Sequence, residues 1–108
     1  MVEDRIIEEC TRSFEVEGRN FTVKYFFCEE DAGGHSRFVI RAVLKESRDA
    51  GPETESRASV ELTYIHPEVG RRIFDTLKRA EDPVFPVHLG DVVRDQIAAT
   101  SLVEVRQY

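Results

Sequence analysis

No stretch of this sequence approaches the roughly 18 consecutive apolar residues of a membrane-spanning helix, and no segment repeats at a fixed period. The opening Met-Val-Glu-Asp-Arg-Ile-Ile-Glu-Glu places acidic residues where a secretory signal needs a basic region and an apolar run, so a cytoplasmic location is expected. There are only two cysteines, Cys10 and Cys28, too few for a disulfide scaffold and expected as buried thiols in a reducing compartment. Cations are scarce: Lys and Arg total 15 against 21 Asp and Glu, a formal net charge of -6. That balance argues against general binding to nucleic acid or anionic membrane, where Lys and Arg supply most of the affinity.

Motifs that carry chemistry are also missing. No Cys-x-x-Cys, His-x-x-x-His or His-Glu-x-x-His is present, so Cys10, Cys28 and His35 lack the spacing of a zinc site, and no metal or cofactor is expected. No serine lies in a Gly-x-Ser-x-Gly turn, and Gly33-Gly34 is followed by neither Lys-Ser/Thr nor a helix, as a phosphate loop requires. Acidic residues are plentiful but scattered, with no pair singled out for acid–base work.

What is present is an ordinary globular composition. The 108 residues are 41% hydrophobic and 33% charged, enough for one domain, residues 1–108, with a real core. Residues 5–66 read as strands. Phe21, Val23, Tyr25 and Phe27 alternate with Thr22, Lys24, Phe26 and Cys28; Phe38, Ile40, Ala42 and Leu44 alternate with Arg37, Val39, Arg41 and Val43; Ala58, Val60, Leu62 and Tyr64 alternate with Ser59, Glu61 and Thr63. The segment from Arg5 to Glu17 alternates cleanly only near Phe14 and Val16. Gly18-Arg-Asn20 reads as a tight turn, and Glu30-Asp-Ala-Gly-Gly34 as a hairpin connection. Glu46 to Arg57, without apolar anchors and with Gly51-Pro52, reads as a mobile loop.

The period then changes. Pro67 suits a first helical position, and Val69, Ile73, Leu77 and Ala80 follow at three- and four-residue spacing, giving a helix over about 67–80. Arg71–Asp75 and Asp75–Arg79 are expected as i,i+4 ion pairs. Asp82-Pro-Val-Phe-Pro-Val87 ends the helix, with Val84, Phe85 and Val87 expected to pack. Leu89, Val92, Val93 and Ile97 mark a second helix over about 88–100. Residues 102–108 fit either a frayed tail or a further strand. The seven residues from Glu81 to Val87 are too long for the turn of a helix-turn-helix, and Asp91 and Asp95 give the following helix a negative face unsuited to DNA.

Strands followed by helices give an α+β fold: an antiparallel meander of about four strands with two C-terminal helices packed on one face. Each strand presents its stronger apolar set to the helices. The other face is mixed, with Phe26, Val39 and Val43 among Lys24, Arg41 and Glu61, a candidate surface for a protein partner or a second copy. His66 and His88 each precede a helical pattern. They are the candidate polar groups of a pocket between sheet and helices, and equally suit simple helix-start positions.

The segments Glu68 to Ala80 and Val84 to Asp95 resemble a family of small uncharacterised bacterial proteins. In that family a strand-rich half precedes a helix, and a Pro-x-His-Leu-x-Asp-Val-x-x-Asp segment opens the last helix. Here the segment is Pro86, His88, Leu89, Asp91, Val92 and Asp95, and the resemblance covers roughly residues 60–97. His66-Pro67 departs from it, since Ser, Thr or Asp is expected at that helix start. The resemblance implies the fold and adds no activity. The sequence therefore favours a non-catalytic cytoplasmic protein-binding or regulatory module, with self-association as one form. The alternative is a small-molecule binder or enzyme with a pocket between sheet and helices.

Overall fold

The computed structural model describes residues 3–32, 35–47, 53–62 and 67–105. Four strands, β1 (Glu3–Val16), β2 (Arg19–Ala32), β3 (His35–Ser47) and β4 (Thr54–Leu62), precede two helices, α1 (Pro67–Arg79) and α2 (Pro86–Val105). The strands form one antiparallel sheet in the order β1-β2-β3-β4, and both helices pack on one face. The expected α+β meander is thus the observed fold.

Register explains where the pattern was clean and where it was not. Across β2 and β3, Val23 pairs with Leu44, Tyr25 with Ala42 and Phe27 with Ile40, so one apolar row meets the other on the helix side. In β1 the register shifts between Ile6 and Glu8, a bulge that puts one extra residue into the strand. Ile6 lies opposite Cys28 and is exposed, whereas Ile7 packs against the core. The bulge reverses the alternation midway, and so the first strand reads weakly.

Turns and ends differ in detail from expectation. The first hairpin turns at Glu17-Gly18, not at 18–20, and both residues have positive φ, 51° and 77°, as a two-residue type I′ turn demands. Gly33 and Gly34 lie outside the described residues. The expected loop at 46–57 is shorter at both ends. Glu46 pairs with Thr54 and Lys45 with Glu55, because ladder hydrogen bonds use the backbone and need no apolar side chain. The second helix begins at Pro86, two residues early, and continues to Val105, so residues 102–105 are helix and not a strand.

The core forms between the layers. Val23, Tyr25, Phe27, Ile40, Ala42 and Leu62 of the sheet are buried against Ile73, Phe74 and Leu77 of α1 and Leu89 and Val93 of α2. Phe27 is central: its ring stacks on Phe38 at 5.5 Å and on Phe74 at 5.9 Å. Gly70 lets α1 approach, since a Cβ there would lie 3.1 Å from both Phe27 Cζ and Leu62 Cδ1. At the other end Phe14 stacks on Phe21 at 5.1 Å and on Phe85 at 5.8 Å. Val84 and Phe85 therefore pack as expected. Val87 does not: it is 79% exposed, because it falls on the outward side of the first turn of α2.

Candidate functional site

The helices cover one face of the sheet, and register orders the other into rows. Ile6, Cys28, Val39 and Glu61 form one row across the four strands. Glu9, Phe26, Arg41 and Ser59 form the next, and Thr11, Lys24, Val43 and Arg57 the third. Side chains directly opposite on antiparallel strands share a face, so the three expected surface residues Phe26, Val39 and Val43 do lie together on the outer side.

They are not equally available. Phe26 and Val43 are partly exposed, whereas Val39 is only 3% exposed. Charged side chains surround it. Arg37 and Arg41 flank Val39 on its own strand, and Glu30 binds both: Arg37 Nε donates to Oε2 and Arg41 Nη2 to Oε1, each at 2.8 Å. Arg37 also reaches Glu61 at 3.2 Å, and Arg41 Nη1 lies 4.0 Å from Cys28 Sγ. Glu30 is the one buried charged residue in the described chain, at 8% exposure. A buried carboxylate held by two guanidinium groups meets its need for strong donors. Cys28 and Val39 lie buried beside this ionic lid.

Sequence reasoning missed Glu30, placing it in a turn. The signal was nevertheless there: pairing of Ala32 with His35 sets Glu30 opposite Arg37.

Beside the lid is a shallow depression of about 390 Å³, lined by Arg41, Val43, Arg57 and Ser59 over the backbone of Ala42 and Ala58. Phe26 adjoins it through its pairing with Arg41. An aromatic ring, a valine and two arginines give a surface of mixed apolar and cationic character.

Between sheet and helices, where a pocket with His66 or His88 was the alternative, lie the fully buried Tyr25, Phe27, Phe74, Ile73 and Leu89. Tyr25 Oη donates to the Val84 carbonyl at 2.7 Å and accepts from the Val84 amide at 2.9 Å. Burial pushes its phenol pKa up. His88 is exposed in the first turn of α2, and its backbone N–H donates to the Phe85 carbonyl at 2.9 Å. His66 lies outside the described residues. Among the described residues no three His, Cys, Asp or Glu side chains are grouped to hold a metal ion, and no helix is long and apolar enough to cross a membrane.

The helical layer departs from expectation in its ion pairs. Asp75 pairs with Lys78 at 3.2 Å and with neither Arg71 nor Arg79. Lys78 is also held by Glu8 of β1, so tertiary contact selects the i,i+3 partner. These two carboxylates raise the Lys78 pKa.

Comparisons with protein-family models, with curated proteins and with solved structures returned no match.

Proposed function

We propose that this chain is a non-catalytic protein-binding or regulatory module of the cytoplasm that meets its partner through the open face of the sheet. The observation that carries this reading is the outer face itself: Phe26 and Val43 stay partly exposed beside Arg41 and Arg57 while neither helix covers them. Aromatic and arginine side chains are enriched where proteins meet. Cys10 and Cys28 point to opposite faces of the sheet and so form no disulfide with each other, which supports a reducing compartment. The resemblance over residues 60–97 supports membership of a family of small bacterial proteins.

The test is a lysine on the exposed part of the face. Val43→Lys places a charge beside Arg41 and Arg57 without entering the core. Native mass spectrometry over a concentration series reads self-association, and capture by the immobilised chain reads a separate partner. Assembly or capture by the wild type that is lost in Val43→Lys and in Phe26→Lys, with unchanged melting, supports the reading. Assembly and capture indifferent to both substitutions overturn it.

A further inference from the structure

Each described arginine except three has a partner. Arg5 meets Glu29, Arg12 the Leu77 carbonyl, Arg19 Glu46, Arg37 and Arg41 Glu30, Arg57 Glu55 and Arg94 Asp91. The three left over are Arg71, Arg72 and Arg79, all exposed on α1. The acid expected for Arg71 and Arg79, Asp75, is occupied by Lys78, which Glu8 anchors from the sheet. A chain of net charge -6 thus keeps three arginines unneutralised on one helix. Arg72 and Arg79 border a shallow depression with Asp75, Thr76 and Ala80.

We propose that this outward face of α1 docks an acidic segment of a protein partner, a second contact surface beyond the sheet face. Guanidinium groups pair with carboxylates through two parallel hydrogen bonds, a match that a point charge does not offer. Arg72 and Arg79 are seven residues apart, about 10 Å along the helix axis. That is the span of about three extended residues, so carboxylates at that spacing meet both arginines. A nucleic acid fits less well. Its affinity grows with the number of phosphates neutralised, and three guanidinium groups on a strongly acidic chain are a short track. Glu81 and Asp82, both exposed just beyond the helix, oppose a longer polyanion.

The test measures fluorescence anisotropy of a labelled ten-residue polyglutamate peptide. Polyglutamine and a single-stranded oligonucleotide of equal charge are run beside it. Binding is read at about 0.01 M and about 0.15 M salt, where the screening length falls from about 30 Å to about 8 Å. Glutamine has nearly the helix propensity of arginine, so Arg71→Gln/Arg72→Gln/Arg79→Gln keeps the fold. We expect the wild type to bind polyglutamate and not polyglutamine, and the triple variant to bind roughly tenfold more weakly. Val43→Lys should bind as wild type, which separates this surface from the sheet face. Three results overturn the proposal: no polyglutamate binding at low salt, equal binding by the triple variant, or tighter binding of the oligonucleotide. Clearly tighter peptide binding by Val43→Lys also overturns it and transfers the acidic partner to the sheet, where the added lysine would join Arg41 and Arg57.

Discussion

The Tyr25 hydroxyl closes a two-way hydrogen bond with the backbone of Val84, donating to its carbonyl and accepting from its amide. Tyr25 sits in the middle of β2, and Val84 in the link between the helices. One oxygen thus satisfies both backbone polar groups of a residue that packs over the core. It fixes where the chain passes from α1 to α2.

Tyr25→Phe removes both bonds while keeping the ring. The Val84 amide and carbonyl are left without their partner, at a cost of about 1–3 kcal/mol. Urea unfolding should show a lower midpoint at unchanged slope, because the exposed area on unfolding stays the same. An unchanged midpoint would show that water serves Val84 equally well.

The same residue gives the fold an alkaline limit. Burial holds the Tyr25 pKa above its ordinary value, and Glu8 and Asp75 do the same for Lys78. In both cases the folded state keeps its proton at a pH where the unfolded chain has lost it. Their contribution is therefore complete below about pH 10 and falls as pH rises through the folded values. Stability followed by denaturation from pH 8 to pH 11 (about three units, spanning both ordinary values) should decline at the top of that range. Tyr25→Phe and Lys78→Met should each flatten part of the decline.

Two glycines on the helices should respond in opposite directions to alanine. At Gly70 a Cβ meets Phe27 and Leu62 at 3.1 Å, and the Phe27 ring is held between Phe38 and Phe74. Gly70→Ala should destabilise by about 1 kcal/mol despite its better helix propensity. At Gly90 nothing lies within 4 Å, so Gly90→Ala should stabilise by about 0.5–1 kcal/mol. Thermal melts of the pair check both signs.

Glu17 is strained and Gly18 is not. A side chain at a φ of 51° costs about 1 kcal/mol, which asparagine largely avoids. Glu17→Asn creates the Asn-Gly pair that favours a type I′ turn, and should raise stability by about 0.5–1 kcal/mol. A lower melting temperature would mean that the glutamate side chain contributes more than its backbone costs.

The ionic lid can be opened. Glu30→Ala leaves Arg37 and Arg41 without their shared acceptor and uncovers the outer row. Both guanidinium groups left behind are partly exposed and water can serve them, so stability should fall only modestly. In a Cys10→Ser background, alkylation under native conditions should become faster at Cys28. An unchanged rate would show that strand packing, and not the lid, shields the thiol.

Periodicity alone made the layers legible. The alternation through Val23, Tyr25 and Phe27 belongs to a strand with one buried face, and the spacing of Val69, Ile73 and Leu77 to a helix with one buried stripe. Pro67 marked its helix start because a missing N–H is harmless there. β1 was weaker because a bulge switches parity at Ile7, and a bulge has no fixed sequence signature here. Val87 looked like Val84 and Phe85 in composition, but only the direction of the first turn of α2 separates it from them. Of the candidate surface, shared parity put Phe26, Val39 and Val43 on one side. Their differing exposure was not visible, since it depends on which charges cross from strand to strand.

The sequence by itself determined the order of strands and helices, the face each would bury and the absence of recognisable metal or nucleophile spacing. These follow from local repeats of two and about 3.6 residues, which each segment carries independently. The tertiary structure alone decided the partners of charged groups. Glu30 took Arg37 and Arg41, Lys78 took Asp75 because Glu8 drew it across the layers, and Arg71, Arg72 and Arg79 were left facing outward. Ion pairing depends on side-chain distances of a few ångströms between residues far apart in the chain, and only the packed layers set those distances.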